Sequence, residues 1–410
     1  MKNSNKSDIN AIITAIAVIS LIVGFGIYFN FYSNISHSYQ QQKQLENSVD
    51  KSQIKNGNII NIKLNKTAFL QIDKSKFIKA PELTGISGYI NTANNKPIKL
   101  SDYKGKVVLV DFWTYSCINC IRTIPYLSSW YDRYSDQGFI IIGVHSPEFD
   151  FEKNFNNVKD AVNKFGIKYP VVLDSDHKTW AAYQNNYWPR HYLIDTQGHI
   201  RDDHIGEGGY NATEKTIQTL LAEKAALDNK TSISFNMTKG TIPKSYSTTL
   251  KNIDLTKNTS PEIYLGYSLA RFSLGNPQGF QPNKIIDYTF DKKNNNASIE
   301  PNTVYLDGKW KNNKDNMELV SDTGKIFLIY YAKAVNIVAS GTGQKVTIVD
   351  HIQNVTSDSR NLALDIDQSK SVLIDKQKLY NMGLYKDYDV RYIEIDIQDK
   401  GFQIYTFTFG

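Results

Sequence analysis

The hydrophobic positions of the chain change their pattern near residue 230. From about residue 77 to 227, short apolar runs rich in β-branched residues alternate with segments of helical length. Beyond about residue 232 helical segments nearly vanish, and strand-like runs follow one another between Gly, Asn and Asp turns. Alternating strands and helices predict a layered α/β domain, whereas a series of strands predicts an antiparallel sandwich or jelly roll.

The α/β segment can be divided into individual elements. Strands are predicted at KVVLVDFW (106–113), FIIIGVHS (139–146) and YPVVLD (169–174), followed by a hairpin that turns at Gln197-Gly198. The predicted helices cover 120–134, 152–165 and 213–227. The hairpin adds antiparallel strands to a parallel core, so we expect three layers around a mixed sheet.

An uncharged apolar run near the N-terminus predicts a membrane anchor. The stretch AIITAIAVISLIVGFGIYF (11–29) has about the length that spans a bilayer as a helix, and aromatic residues follow it. A cleaved signal peptide is the alternative, but its apolar region is only about 7–15 residues long. Because lysines precede the run, we expect a cytoplasmic tail (1–10), an anchor (11–32), a polar linker (33–76) and an exported remainder.

Composition excludes one class of partner and permits two hydrophobic cores. The 410 residues carry a formal charge of +6 with acidic and basic residues interspersed, so no nucleic-acid-binding surface is predicted. A hydrophobic fraction of 41% and an aromatic fraction of 12% are enough for two domains.

The chain contains only two cysteines, Cys117 and Cys120, in the stretch VDFWTYSCINCIRTIP (110–125). A structural disulfide here would close too short a loop to stabilise the fold much, and zinc would need further ligands that the spacing of the histidines does not supply. A redox dithiol is favoured over both. A strand, a loop and then a helix would place Cys117 at a helix N-terminus, where a thiolate is stabilised, so Cys117 is the expected attacking thiol and Cys120 the resolving one.

Four segments carry a resemblance to a known family: APELTGISGYIN (80–91), LSDYKGKVVLVDFWTYSCINCIRTIPYL (100–127), GFIIIGVHSPEFDFEK (138–153) and YWPRHYLIDTQGHIRDDHIGEGGYNATE (187–214). They resemble the thioredoxin superfamily in its TlpA/ResA-like redoxin branch, in particular the soluble C-terminal part of DipZ-type cytochrome c biogenesis proteins. The resemblance implies a thioredoxin-like redox domain over 77–230. It also implies a β-sandwich similar to carbohydrate-binding modules over 231–410, with a Cys117–Cys120 disulfide in the oxidised form.

The same resemblance assigns roles to individual residues. Asp111 matches the buried acid that moves the proton of the resolving cysteine. Pro189 matches a cis-proline beside the dithiol, which would present the backbone of Trp188 to a substrate strand. Apart from the motif match, Trp113 and Tyr115 are expected to shield the dithiol and contact the substrate, with packing in the core as the alternative.

One acidic residue of the family pattern is replaced in this chain. Thr123 stands where many TlpA/ResA-like proteins have a glutamate, and Glu148 is a candidate substitute for that acid. In the β domain, aromatic residues could form a carbohydrate platform or belong to the sandwich core: Tyr264, Tyr267, Trp310, Tyr330 and Tyr331.

These observations predict a single-pass protein of the bacterial inner membrane with its catalytic domain on the periplasmic, extracytoplasmic side. The expected activity is thiol–disulfide oxidoreduction, in the reducing direction by resemblance, with no cofactor and no metal. The expected partners are a disulfide-containing protein substrate, the membrane, and a separate membrane electron donor similar to CcdA or DsbD, because the chain has one predicted span where DipZ-type proteins have several. An envelope-binding adaptor that uses the β domain, or a thiol peroxidase, is the alternative function.

Overall fold

The computed structural model of the protein describes residues 59–242, 253–290, 299–350, 360–361 and 365–410. The predicted tail, the anchor (11–32) and the linker up to residue 58 lie outside the described residues. In the part of the chain that is described, no helix is both long and apolar enough to cross a lipid bilayer.

The first half of the chain forms an α/β domain. Its helices are α1 (Lys66–Leu70), α2 (Ile118–Tyr134), α3 (Phe155–Lys164), α4 (Lys178–Ala182) and α5 (Tyr210–Leu227). Its strands are β1 (Ile59–Lys63), β2 (Gly88–Ile90), β3 (Val107–Trp113), β4 (Phe139–His145), β5 (Val171–Leu173), β6 (Arg190–Ile194), β7 (Ile200–Ile205) and β8 (Ser232–Asn236). The elements follow the predicted order, with α2 and α5 beginning two or three residues earlier than the pattern indicated.

The main sheet of this domain is mixed, as predicted. Its strand order is β2-β5-β4-β3-β6-β7, in which β3 pairs with β4, and β4 with β5, in parallel, while the other pairs are antiparallel. Every residue of the central strand β3 is buried. That burial explains why its sequence is almost uninterruptedly apolar rather than alternating.

Two packed layers cover the two faces of the sheet. On one face, Leu109 packs in a core with residues of α2, α3 and α5. On the other face, Val108 and Phe112 pack with Leu83, Leu100 and side chains around α4. The three-layer α/β architecture is therefore present, and β3 crosses the domain at its centre.

The α/β domain begins earlier and ends later in the chain than the predicted range of 77–230. Residues 59–76 belong to the predicted linker, yet β1 and α1 lie there, with Ile62 and Phe69 in the main core. Strand β8 pairs antiparallel with β1 and packs against α2 and α5, although residues from 231 onward were assigned to the β domain. Pairing between segments so distant in sequence leaves no local signal in either of them.

The second half of the chain is an all-β domain. Its strands are β9 (Ile263–Tyr264), β10 (Ile285–Tyr288), β11 (Tyr305–Asn312), β12 (Met317–Leu319), β13 (Thr323–Ser340), β14 (Gln344–Asp350), β15 (Arg360–Asn361), β16 (Ser371–Ile374), β17 (Lys378–Gln398) and β18 (Gln403–Phe409). The order is β10-β11-β12-β18-β13-β17-β14-β16, with β9 on β18 and β15 on β17, and all of these named pairs are antiparallel.

An antiparallel sandwich was predicted, and in the structure all the strands of this domain are hydrogen-bonded into one sheet. The long strands β13 and β17 run side by side, with register shifts near Ala332 and Asn336 that bend them. Only the second half of β17, VRYIEIDI (390–397), was predicted as a strand. Its first half contains Lys386, Asp387 and Asp389, which interrupt the apolar pattern.

One hydrophobic cluster contains residues of both domains. Tyr264, Val338 and Tyr405 of the β domain belong to the same buried cluster as the cysteine pair and the helical face of the α/β sheet. The ring of Tyr405 packs on Phe149 and Phe151, with centroids 5.1 and 4.8 Å apart. The β domain therefore lies directly over the end of the sheet where the cysteines are found.

Candidate active site: a dithiol between two domains

The two cysteines lie where β3 gives way to α2. Cys117 is the N-cap of α2, with extended backbone angles, and its sulfur accepts a hydrogen bond of 3.2 Å from the backbone N–H of Cys120. The two sulfur atoms lie 2.6 Å apart, and both residues are free thiols. The helix brings Cys120 back to Cys117 after one turn, so the pair can close as a disulfide without rearranging the backbone.

Electrostatics around the thiols differ from the expectation drawn from the helix N-terminus alone. Burial raises the pKa of Cys117, hydrogen bonding to Cys120 opposes this, and the negative charges of Glu262 and Glu148 raise it further. Burial also raises the pKa of Cys120 well above its ordinary value, and the charge of Asp111 adds to that effect. With the two domains packed together, the thiol forms are favoured over the thiolate expected from the helix dipole.

Asp111 is buried in the centre of the sheet, beneath the dithiol. Its side chain is 1% exposed and lies on the same face of β3 as Leu109 and Trp113, which pack with Cys120. Its Oδ1 lies 3.1 Å from Nε2 of the buried His191 on β6. The acid predicted from the sequence is thus placed near the resolving cysteine, with an imidazole partner that was not predicted.

Aromatic rings form a wall beside the cysteines. Trp113 and Tyr115 are both buried and both contact His145, the first edge to face at 5.1 Å and the second stacked at 5.7 Å. Burial lowers the pKa of His145 to about 3, so this imidazole stays neutral. The hydroxyl of Tyr115 reaches the backbone oxygen of Gln377 in the β domain at 3.4 Å. Trp113 and Tyr115 therefore pack within the protein and exclude water from the dithiol.

The Trp188–Pro189 peptide bond is cis, as the motif predicts. Pro189 is buried, and Trp188 is partly buried against the cluster that contains both cysteines. The indole N–H of Trp188 donates a hydrogen bond of 2.9 Å to the backbone oxygen of Ser146. The backbone N–H of Ser146 in turn donates a hydrogen bond of 3.0 Å to the backbone oxygen of Trp113. The ends of β3 and β4 and the segment before β6 thus meet at the dithiol.

A pair of carboxyl groups spans the domain boundary near Cys117. The hydroxyl of Tyr264 lies 2.5 Å from Glu148 Oε1 in the α/β domain and 2.9 Å from Glu262 Oε2 in the β domain. One hydroxyl has one proton to donate, so a protonated carboxyl is needed for both contacts to be hydrogen bonds. Burial and the charges of Glu262 and Glu152 raise the pKa of Glu148 well above its ordinary value, which agrees with a shared proton.

Glu152 organises the loops around this pair. It is fully buried and accepts hydrogen bonds from the hydroxyl of Ser116 at 2.6 Å and from the backbone N–H groups of Glu148 and Phe149 at 2.6 and 3.0 Å. Burial raises its pKa although these donors act in the opposite direction. The sequence contained a signal for this role, since a glutamate three residues after Phe149 is the spacing at which an acid caps a helical turn.

Residues after the dithiol have structural partners. Arg122 is buried and makes a bidentate ion pair with Glu207, at 2.8 and 2.6 Å. Thr123, at the position of the family glutamate, donates to the backbone oxygen of Asn119 at 2.8 Å. Neither supplies an acid to the cysteines.

The five aromatic residues considered as a carbohydrate platform do not form one. Trp310 and Tyr330 lie in the core of the β domain, and Tyr264 lies in the domain boundary. Tyr267 and Tyr331 are only partly buried. Alternate strand positions face inward, so aromatic content alone did not show which rings reach the surface.

Comparison with known proteins agrees with this geometry. Residues 78–203 match the AhpC/TSA family and residues 260–410 match the thioredoxin-like C-terminal domain. The thiol-disulfide oxidoreductase YkuV of Bacillus subtilis is 30% identical over 143 residues, which are 35% of this chain and 94% of YkuV. The chain belongs to the thioredoxin-like thiol–disulfide oxidoreductases. The resemblance drawn from the motifs is thereby confirmed.

One curated relative is similar over a longer stretch than the redox domain, although the chain spans only about a third of that relative's length. DipZ of Mycobacterium tuberculosis is 38% identical over 271 residues, which are 66% of this chain but only 36% of DipZ. A thiol:disulfide interchange protein from Bacteroides sp. is 31% identical, with a TM-score of 0.29, and the match covers 35% of this chain and 90% of that one.

Proposed function

We propose that the protein reduces disulfide bonds in protein substrates through Cys117 and Cys120. The observation that carries this proposal is the placement of Cys117 as the N-cap of α2, with Cys120 Sγ 2.6 Å away at the next turn. A sulfur at the helix N-terminus is the one that attacks, and the second sulfur then displaces the substrate from the mixed disulfide.

The expected site for the substrate is the backbone of Trp188 beside the cis-proline. Trp188 packs on the cluster that contains the dithiol, and its indole is fixed to Ser146, so its position relative to Cys117 is well defined. An extended substrate segment could add along this edge by backbone hydrogen bonding. Side chains of Trp113 and Tyr115 would then contact the segment only after the domains part.

Access to Cys117 depends on the β domain. Cys117 is only 9% exposed and belongs to one buried cluster with Tyr264 and Tyr405 of the β domain. Gln377 of the β domain contacts the neighbouring Tyr115. A protein disulfide must bring its sulfur into contact with that of Cys117. We therefore propose that the two domains separate during each catalytic cycle and that separation also releases the thiolate that their packing disfavours.

The cellular setting is proposed from the sequence. The apolar run at 11–32 supports a single anchor in the inner membrane with the dithiol outside the cytoplasm. The resemblance to DipZ-type proteins supports a link to cytochrome c maturation. One predicted span supports a separate membrane electron donor, similar to CcdA or DsbD, that returns the Cys117–Cys120 pair to its reduced form.

The proposal is tested with the purified protein, Cys117→Ser and Cys120→Ser. Reduced wild type should cleave a test protein disulfide, Cys117→Ser should be inactive, and Cys120→Ser should accumulate mixed-disulfide adducts on non-reducing gels. If wild type cleaves no disulfide and Cys120→Ser forms no adduct, the proposal is wrong. Rapid peroxide consumption by wild type would instead favour a thiol peroxidase.

A further inference from the structure

A row of three titratable side chains crosses the sheet beneath the dithiol. Asp111 on β3 is directly opposite His191 on β6, and His191 is directly opposite His204 on β7. Asp111 Oδ1 and His191 Nε2 lie 3.1 Å apart. The two imidazole rings are nearly parallel, at 14°, with centroids 6.0 Å apart. The row leads from the acid near Cys120 toward the outer edge of the sheet.

Burial changes along the row. Asp111 and His191 are 1% and 2% exposed, whereas His204 is partly exposed on the edge strand. The loop at Gly209 passes close over His204, since a Cβ there would lie 2.6 Å from the imidazole Cε1. The row therefore begins in the protein interior and ends at a side chain that water can reach.

Several polar atoms of the row are buried without a hydrogen-bond partner among the described residues. They are Asp111 Oδ1, His191 Nδ1, His191 Nε2 and His204 Nε2. Buried polar atoms are normally satisfied by protein groups or by internal water, and such water can also carry protons between them.

The charges around the row favour neutral imidazole at its outer end. Burial lowers the pKa of His204, and the positive charge of His191 lowers it further, while Asp203 and the backbone near Glu207 and Gly208 oppose this. At the inner end, the charge of Asp111 adds to the burial that raises the pKa of Cys120. Along the row from Cys120, Asp111 is therefore the first group that can accept a proton, and the two imidazoles lie beyond it.

We propose that His191 and His204 relay protons between Asp111 and solvent while Cys120 resolves the mixed disulfide. This inference rests on the proposed function. The Cys120 thiol gives its proton to Asp111, and its sulfur attacks that of Cys117. The Cys117–Cys120 bond forms as the bond from Cys117 to the substrate sulfur breaks, and the substrate leaves as a thiolate. Asp111 then passes its proton to His191, which passes one through His204 to water, and the substrate thiolate is protonated from solvent.

In this scheme His191 and His204 are positioning residues, since neither touches the reacting sulfurs. Substituting either histidine must therefore slow the step in which Cys120 resolves the mixed disulfide, and must not slow the first attack by Cys117. Ellman's reagent separates the two steps, because attack by Cys117 releases one thionitrobenzoate and resolution by Cys120 releases the second. The test is a stopped-flow single turnover with reduced full-length protein and no excess of reagent.

His191→Gln should slow the second release about tenfold or more and change its pH profile, with the first release unaltered. His204→Gln should slow it less. His199→Gln is the matched control, since His199 also contacts a carboxylate, Asp195 at 3.4 Å, but lies outside the row. In a double-mutant cycle, the second release should be no slower in Asp111→Asn combined with His191→Gln than in Asp111→Asn alone.

An unchanged second release in both His191→Gln and His204→Gln would overturn the relay. Equal slowing of both releases would also overturn it, because that result indicates a general structural defect. If His191→Gln does not fold, the variant His204→Gln, at the partly exposed end of the row, decides the matter on its own. Absence of any first release in wild type would instead reject the proposed oxidoreductase function, so the two failures are distinguishable.

Discussion

The two domains act on the dithiol in opposite senses. The α/β domain supplies both cysteines, the helix N-terminus that favours a thiolate at Cys117, and the buried acid Asp111. The β domain supplies no cysteine, but it contributes burial and the charge of Glu262, which raise the pKa of Cys117. The comparison shows that a CxxC motif at a helix start does not by itself fix reactivity, because a second domain can hold the same thiols in a less reactive form.

Removing an aromatic contact at the boundary should have the largest effect. Tyr405 is 4% exposed and packs on Phe149 and Phe151. Tyr405→Ala should therefore loosen the boundary, because truncating a buried aromatic residue costs about 3–5 kcal/mol. We expect iodoacetamide to alkylate Cys117 at least about tenfold faster, since 1.4 kcal/mol already changes an equilibrium tenfold. Alkylation is followed by mass spectrometry.

The control for that experiment is Phe272→Ala, an aromatic residue of the same domain that is 43% exposed. Its alkylation rate should match that of wild type. Circular dichroism establishes that both variants keep the β domain folded. Equal alkylation of Tyr405→Ala and wild type would mean that the β domain does not restrict access to Cys117.

A substitution at Glu152 tests how much the hydrogen bonds of the α/β domain contribute to holding the loop at Glu148 and Phe149, which lies at the boundary between the two domains. Glu152→Gln places an amide donor opposite the hydroxyl of Ser116 and two backbone N–H groups, so charge-assisted hydrogen bonds are lost in a buried site. We expect a loss of about 2–3 kcal/mol in the free energy of unfolding, measured with urea. Asp150→Asn, on the exposed side of the same turn, should change stability by less than about 0.5 kcal/mol. Similar values for the two variants would contradict this role.

The contrast between the domains also explains what could be predicted from the sequence. Strand β3, the start of α2 and the cis bond before Pro189 are specified by residues close to one another along the chain, and each was predicted. Glu148 and Tyr264 are 116 positions apart, and no periodic pattern connects them. Their contact depends on how the domains pack.

The same distinction holds within the α/β domain. Asp111 could be identified by its spacing from Cys117, but its partner His191 follows from the pairing register of β3 and β6, which the sequence does not state. The linker residues that form β1 gave no signal because their partner, β8, lies about 170 positions further along the chain. Chemistry encoded in one continuous motif was predictable, and chemistry assembled across strands or domains was not.

Removing one charge at the boundary should sharpen the electrostatic part of the comparison. At the alkaline pH at which Cys117 ionises, the proton shared by Glu148 and Glu262 is lost. Glu148→Gln then eliminates a negative charge that raises the pKa of Cys117, so its thiolate should form at lower pH. We expect the pKa of Cys117 to fall, by less than the part that burial contributes, and the ultraviolet absorbance of the thiolate in Cys120→Ser measures it. Asp150→Asn removes the same charge two residues away on an exposed side chain and should leave the pKa of Cys117 in place. If Glu148→Gln left the pKa of Cys117 unchanged, the charge of Glu148 would have no part in raising that pKa.

The smallest expected effect is a pH dependence of the boundary itself. The pKa of Glu148 in the folded protein lies above its ordinary value of 4.5, owing to burial and to the charges of Glu262 and Glu152, with Arg271 opposing them. The folded protein therefore holds this proton more tightly than the unfolded chain, and its stability falls as the pH rises from 4.5 toward the raised pKa. Urea unfolding of wild type should show a loss of stability between pH 4.5 and neutrality that Glu148→Gln lacks. If wild type became more stable relative to Glu148→Gln over this pH range, the shared proton would be contradicted. Hydrophobic packing alone would then hold the β domain over the dithiol.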